Sequence, residues 1–143
     1  MRFMMLVKAN ADSEAGVLPS SEAIAAMGRF NEELIKAGVM LAADGLKPSS
    51  TGVRLTYTDG GRPTVTDGPF AETKELLAGY WVIDVSSREE AVEWGSRAPF
   101  APGDTLEIRP VFEAGDFPAD AVSAETLEKE QAWRDANQRP IQG

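Results

Sequence analysis

The residues best suited to chemistry in this chain lie together in one short stretch, residues 67–75. Asp67, Glu72 and Lys74 place two carboxylates and an ammonium group close in sequence. A carboxylate beside an ammonium group can transfer a proton or hold a charged substrate. If the three side chains converge on a cleft, Asp67 is the candidate acid or base, and Glu72 and Lys74 are candidate ligand-binding residues.

The same stretch also has the composition of a turn. Pro69 has no amide hydrogen, and it pushes Gly68 toward extended geometry. Asp side chains commonly accept a hydrogen bond from a backbone N–H a few residues on, so we expect Phe70 to donate to Asp67 in an Asx-type turn. On this interpretation Asp67 is structural and Phe70 packs beneath the turn. The alternative is that Phe70 forms a stacking surface for a ligand.

Two residue types that carry much enzyme chemistry are absent, because the chain has no histidine and no cysteine. Their absence excludes disulfides, thiol catalysis, Ser-His and Cys-His dyads, and the commonest zinc ligands. Acid-base chemistry would therefore depend on carboxylates, Lys or Tyr. We expect no metal and no cofactor, since the sequence shows neither an Asp-rich loop with metal-ligand spacing nor a nucleotide-type glycine motif. A carboxylate site for Mg²⁺ or Ca²⁺ is the alternative that the composition leaves open.

The composition predicts one acidic domain with a tail. The chain has 143 residues, 43% of them hydrophobic, and a formal net charge of -9. This charge repels nucleic acid and anionic membranes, so we expect neither as a partner. The apolar run Phe3–Val7 is too short for a signal peptide or a membrane span, and we expect a cytoplasmic protein.

The elements that position the candidate residues follow from the apolar periodicity. Strands are predicted at 3–7, 39–43, 53–57, 62–66, 80–85 and 106–112, and helices at 20–37 and 88–97. Asp59-Gly60-Gly61 indicates a hairpin turn between the third and fourth strands. The order β-α-β-β-(β)-β-α-β predicts an α+β, ferredoxin-like βαββαβ fold with an antiparallel sheet and an added hairpin.

Four further residues are candidates in this arrangement. Asp44 ends the second strand, Arg109 lies in the last strand, and Trp81 with Tyr80 could wall a cavity. Each has a structural alternative: Asp44 as a turn residue, Arg109 as a solvated strand position and Trp81 as core. The spacing does not choose between these interpretations.

The strand at 80–85 also predicts a partner, because it has large apolar residues on both faces. The two helices of such a fold cover one face of the sheet and leave the other bare. A two-fold partner that packs on the second face solves this problem, so we expect a homodimer.

The tail differs from the rest of the chain. From residue 113 to the end it carries seven carboxylates against three Lys or Arg side chains. We divide the chain into a domain at 1–117 and an acidic tail at 118–143, with a helix at 123–137 capped by Ser123. Leu127 and Trp133 give this helix only a thin apolar face. We favour docking on its own dimer over binding of another protein.

The run Asp67-Gly68-Pro69-Phe70 followed by AETKE resembles the hallmark of the DGPF proteins, a branch of the YCII-related families. The resemblance covers roughly residues 1–117, and it implies a ferredoxin-like fold that pairs as a dimeric α/β barrel. Some YCII-type enzymes are thought to use a His with an Asp, and this chain has no His. Genes of DGPF proteins often neighbour those of extracytoplasmic-function sigma factors, so the resemblance also implies a sigma factor partner.

Three classes of function follow. The first is a protein that binds a small molecule or has a regulatory role, which the missing His favours. The second is a cofactor-independent enzyme acting on a small organic molecule, with Asp67 as acid or base and Lys74 or Arg109 holding an anion. This class requires burial of Asp67, which makes its carboxylate a stronger base. The third is a structural dimeric subunit.

Overall fold

The chain folds into six strands and four α-helices in the computed structural model, which describes residues 1–143. The strands are β1 (Arg2–Lys8), β2 (Met40–Gly45), β3 (Val53–Thr56), β4 (Thr64–Asp67), β5 (Leu77–Asp84) and β6 (Leu106–Pro110). The helices are α1 (Ala11–Glu14), α2 (Ser21–Lys36), α3 (Arg88–Ser96) and α4 (Ala124–Asn137). Short 3₁₀ turns lie at Ser49–Thr51, Thr73–Glu75 and Ala114–Asp116.

The main sheet has four strands in the order β2-β5-β1-β6, and every neighbouring pair is antiparallel. This is the split βαβ order of a ferredoxin-like fold. Strands β3 and β4 form a separate two-stranded hairpin inserted between β2 and β5. The predicted fold class and the added hairpin are confirmed.

The two long helices begin where the sequence predicted. The Ser20 hydroxyl accepts a hydrogen bond from Ala23 N–H at the start of α2, and the Ser87 hydroxyl accepts one from Glu90 N–H at the start of α3. Such caps satisfy amide groups that the first helical turn leaves unpaired. Gly38, with φ of 69°, follows the end of α2 and allows the chain to turn into β2.

The core lies between the sheet and the helices α2 and α3. Its most deeply buried side chains are Phe3, Met5, Leu34 and Ile83. Because side chains alternate along a strand, these residues leave the other face of the sheet to a second set. We call this second set the open face; its apolar members, all half-buried, are Met4, Leu6, Ala42 and Val82.

The hairpin differs from expectation. Alternation of apolar and polar residues in β3 predicted one buried face, but all residues of β3 and β4 are exposed. Val53, Leu55 and Val65 are exposed by 58%, 50% and 62%. The alternation correctly indicates a strand. Its apolar side is not buried, because the hairpin leaves the main sheet and no other layer of the chain packs against that side.

The predicted tail helix is confirmed as α4, and Ser123 caps it by accepting from Thr126 N–H. It joins the domain near the first strand. The Gln138 side chain accepts from Arg2 at 2.8 Å, the Arg134 guanidinium lies 3.6 Å from the Glu113 carboxylate, and Ile141 N–H donates to the Met40 carbonyl. The division at residue 117 stays a prediction.

The ion pair between Arg2 and Glu113, next to the point where the tail joins the domain, makes the stability of the protein depend on pH. Hydrogen bonds from the Arg2 side chain hold the pKa of Glu113 below its ordinary value of 4.5. A carboxyl group whose pKa is lower in the folded state stabilises the fold above its unfolded pKa, and this contribution is lost as the pH falls through the folded pKa. Because the Glu113 side chain is 43% exposed, we expect this ion pair to contribute less than about 1 kcal/mol to the free energy of unfolding.

Thermal melts at pH 7 and at the lowest pH at which the protein stays folded test this expectation. Glu113→Gln should lower the melting temperature slightly at pH 7, and its effect should shrink as the pH falls through the lowered pKa of Glu113, where the wild-type carboxyl group takes up a proton. An equal loss at both pH values would contradict the assignment.

Candidate functional site

An apolar cavity of about 580 Å³ lies at the end of the sheet where β1 and β2 finish and β5 begins. Its walls come from the connection between α1 and α2, the middle of α2, the turn after β2, the start of β5, and Phe100. The hairpin leaves and re-enters the domain at this same end, whereas the tail joins the opposite end. The site therefore lies near the base of the hairpin.

Trp81 forms the inner wall of the cavity. Its side chain is 5% exposed and packs edge-to-face against Phe30 and Phe100, with ring centroids 5.5 and 6.1 Å apart. Its indole N–H donates to Asn31 Oδ1 at 2.8 Å. An indole nitrogen can only donate, so Asn31 must present its oxygen here. The two N–H groups of Asn31 Nδ2 have no partner within the chain and are available to a ligand.

Asp44 and Tyr80 contribute a hydrogen-bonded pair at the same end. The Tyr80 hydroxyl donates to Asp44 Oδ2 at 3.0 Å, and this hydrogen bond, together with the nearby negative charge, raises the pKa of Tyr80. The phenol is therefore held in its protonated form. Both residues line the cavity, and strand alternation also places them on the open face.

The outer wall is the connection at residues 15–19, which we call the strap. Its residues Val17 and Leu18 line the cavity but are exposed by 57% and 85%. Ser13 and Lys47 add polar groups to the lining, and Lys47 has no carboxylate partner within the chain. The cavity thus combines an apolar interior with an amide donor and one unpaired cation.

The structure brings only some of the sequence-derived candidates to this cavity. Asp44 and Trp81 line it, as does Tyr80. The candidates outside its lining are Asp67, Phe70, Glu72, Lys74 and Arg109. Their roles stay predictions.

The hydrogen bonds of the motif differ from the expected Asx-type turn. Phe70 N–H donates to Ser49 Oγ at 3.1 Å, not to Asp67, and Gly68 N–H donates to the Gly52 carbonyl at 2.9 Å. The Asp67 carboxylate accepts no hydrogen bond within the chain. The prediction of an Asx-type turn was wrong because a turn distant in sequence, at Ser49–Thr51, supplies the partners instead.

The ring of Phe70 is half-buried beneath the hairpin. The Arg54 guanidinium carbon lies 3.9 Å from the ring centroid, a cation–π contact that joins the hairpin to its base. The Gly68-Pro69 peptide bond is cis. In the charged run that follows, Glu72 and Lys74 are exposed and form no ion pair with each other. The geometry of the motif is that of an anchor for the hairpin.

Sequence reasoning missed Asn31. It lies one helical turn from Met27 and next to Phe30, within the apolar stripe of α2. A polar residue inside such an apolar stripe indicates that its side chain forms a hydrogen bond within the fold. The hydrogen-bond partner is Trp81, and nothing local in the sequence pairs the two residues.

The cavity offers little catalytic machinery. It holds no nucleophilic thiol or imidazole, and no group of three or more Asp or Glu residues in the structure could hold a metal ion. Its titratable side chains are Asp44, Tyr80 and Lys47. The arrangement suits recognition of a molecule with an apolar body and a few acceptor groups.

The two-layer fold, the inserted hairpin and this cavity define a small ferredoxin-like α+β domain. Residues 1–115 match the YCII-related domain family, and the chain belongs to that family.

Individual proteins were also found to be similar. The chain is 34% identical over 97 residues to the uncharacterized protein R00369 of Rhizobium meliloti (strain 1021), covering 65% of this chain and 77% of that protein. Among solved structures, it matches 5-chloro-2-hydroxyhydroquinone dehydrochlorinase (TftG) from Burkholderia phenoliruptrix AC1100 in complex with 2,5-dihydroxybenzoquinone. The match has 14% identity and a TM-score of 0.42, over 81% of this chain and 98% of that one. None of the helices is both long and apolar enough to cross a membrane.

Proposed function

We propose that this YCII-related protein binds a small, largely apolar organic molecule in the cavity beside Trp81. The observation that carries the proposal is the cavity itself, whose volume of about 580 Å³ falls within the range of small-molecule sites. Most of its surface is apolar, and its polar groups are few. That combination gives affinity through burial and specificity through a small number of hydrogen bonds.

The lining also indicates the chemistry of the ligand. Trp81 and Phe100 present aromatic surfaces that suit a ring. The N–H groups of Asn31 that have no partner within the chain can donate to an acceptor on the ligand, and the unpaired ammonium of Lys47 favours a negative charge. We therefore expect an aromatic or aliphatic carboxylic acid to bind better than a neutral or cationic analogue of the same size.

A thermal-shift screen of matched acids, amides and amines tests the proposal. A ligand at 100 times its Kd adds about 2.7 kcal/mol to stability. We expect Asn31→Asp to abolish the shift, since the new carboxylate still accepts from Trp81 but offers no donor and repels an acid. Lys47→Met should weaken binding, and Lys36→Met, which removes an exposed Lys outside the cavity, is the matched control. No shift with any compound would contradict the proposal.

The enzyme hypothesis gains no support from the position of Asp67. Its carboxylate is exposed in the single chain, so the burial that acid-base chemistry at Asp67 requires is absent there. If turnover of any bound compound is found, Asp67→Asn should leave it unchanged.

We also propose that a second copy of the chain covers the open face, so that two sheets pair as a dimeric α/β barrel. The apolar residues of this face are covered by neither α2 nor α3, which pack on the other face. Its charges are balanced, although the chain as a whole has a net charge of -9. Three cations oppose three carboxylates: Arg2, Lys8 and Arg109 against Asp44, Asp84 and Glu107. Two copies can therefore approach through this face without the repulsion expected elsewhere.

Val82→Arg tests the dimer. A buried, unpaired guanidinium at the centre of the interface should convert the dimer to a monomer at micromolar concentration, measured by light scattering. The matched control is Ile24→Arg, on a side chain that is 58% exposed on α2. A wild-type protein that is already monomeric would contradict the proposal.

Finally, we propose a cytoplasmic location and keep the sigma factor as a candidate partner. The net negative charge of the chain suits a basic surface on a partner protein. Binding of a purified extracytoplasmic-function sigma factor, measured with and without a ligand found in the screen, tests this role. Absence of binding in both conditions would exclude the sigma factor as a partner.

A further inference from the structure

The DGPF turn is joined to the cavity wall by a continuous set of hydrogen bonds, although the turn itself lies outside the cavity. The link begins at Ser49, whose hydroxyl accepts from Phe70 N–H at 3.1 Å. The same hydroxyl donates to Glu14 Oε2 at 2.5 Å, and Ser49 N–H donates to Glu14 Oε1 at 3.0 Å. Ser49 therefore uses its backbone and its side chain to join two segments that are distant in sequence.

Glu14 and Ser49 each lie next to residues of the cavity wall. Glu14 is the last residue of α1 and precedes the strap, while Ser13 beside it lines the cavity. On the other side, Lys47 and Pro48 immediately precede Ser49 and line the cavity as well. A movement of Ser49 would therefore displace both walls.

Few other contacts hold α1 and the strap: the Asn10 side chain caps α1 and donates to Asp104 Oδ1 at 3.2 Å, and Val17 N–H donates to the Asp12 carbonyl. Helix α1 has only four residues and no buried side chain, and a helix this short is not stable by itself. Val17 and Leu18 are too exposed to anchor the strap by packing. The Glu14 carboxylate has no Lys or Arg partner within the chain. Its hydrogen bonds within the chain are the two that it accepts from Ser49.

We infer that Ser49 is a positioning residue through which the DGPF turn sets the position of α1 and the strap, and with them the shape of the cavity. The motif then acts on ligand binding without touching the ligand. The effect on ligand affinity rests on the proposed function, whereas the effect on the strap does not.

Hydrogen exchange of the full-length protein tests the inference without any ligand. The amides of Glu14, Ala15 and Val17 are hydrogen-bonded to carbonyl groups at 10, 11 and 12, so they report on the order of α1 and the strap. We expect Ser49→Ala to raise their exchange about tenfold and to leave β1 and α2 unchanged. Ser49→Thr, which keeps the hydroxyl, should restore protection.

Ser50→Ala is the matched control, because Ser50 is exposed and its side chain makes no hydrogen bond. Unchanged exchange in Ser49→Ala would overturn the inference, and so would a rise that extends equally to β1 and α2, since Ser49 would then serve overall stability. If a ligand is found, its affinity should fall in Ser49→Ala and recover in Ser49→Thr. Failure to find any ligand would remove the proposed function and leave the exchange result as the test of Ser49.

Discussion

Gly68→Ala is expected to lower the free energy of unfolding by about 2 to 3 kcal/mol, as overpacking of a tight contact does. A Cβ atom at this position would overlap the carbonyl oxygen of Ser49 and lie 3.3 Å from Ser50 N. The obstacle is backbone, which cannot rotate away as a flexible side chain can. The hydrogen bond from Gly68 to Gly52 would be lost when the two segments separate.

Urea denaturation of Gly68→Ala and Gly28→Ala together checks this expectation. Gly28 is exposed in the middle of α2, and a Cβ there meets nothing within 4 Å. Its replacement by alanine should stabilise the protein by about 0.5 to 1 kcal/mol. If Gly68→Ala were as stable as wild type, the close approach of the DGPF turn to the Ser49 turn would be incorrect.

Trp81→Ala is expected to have the largest effect of any single change at the cavity, about 3 to 5 kcal/mol in the free energy of unfolding. The side chain is 5% exposed, contacts two aromatic rings and satisfies Asn31. Removal of the indole would enlarge the cavity and take away the side chain that forms its inner wall. Ligand binding should be lost as well.

Trp133→Ala is the matched control for the loss of an indole. Trp133 is 57% exposed on α4, so its removal should change stability by about 0.5 kcal/mol or less. Trp81→Phe separates packing from hydrogen bonding, since it keeps a ring and loses the donor to Asn31. We expect it to cost less stability than Trp81→Ala and still to weaken binding of an acceptor-bearing ligand. Equal losses in Trp81→Ala and Trp133→Ala would contradict the packing described for Trp81.

Much of the fold could be predicted because its signals are local. Ser20 and Ser87 mark helix starts, Gly38 marks a stop, and the apolar run from Phe3 to Val7 marks a central strand. Such signals depend on neighbours within a few residues, and the backbone responds to them directly. The predicted elements therefore differ from the observed ones mainly at their ends.

The hairpin shows where a local pattern misleads. Alternation in β3 correctly indicates an extended strand, but it cannot say whether another layer lies against the apolar side. Leu55 and Val65 are exposed in the chain even though the pattern is that of a half-buried strand. Burial depends on where the hairpin lies relative to the sheet, which is a property of the whole fold.

The candidate site shows the same limit more sharply. Sequence reasoning found Asp44, Tyr80 and Trp81 because strand ends and aromatic residues are visible in the sequence. It gave most weight to Asp67, Glu72 and Lys74 because they are close in sequence, and the structure places them outside the cavity. Closeness in sequence is a weak guide to convergence, since a turn can point successive side chains in different directions.

By itself, the sequence determined the order of the six strands and of the helices other than α1, the ferredoxin-like topology and the absence of histidine and cysteine chemistry. Only the tertiary structure decided where the cavity lies and what the DGPF turn contacts. The decisive pairs are far apart along the chain: Ser49 with Phe70 by 21 residues, Glu14 with Ser49 by 35, and Asn31 with Trp81 by 50. Periodicity and capping act over a few residues, whereas these contacts exist only once the helices, the sheet and the hairpin have packed together.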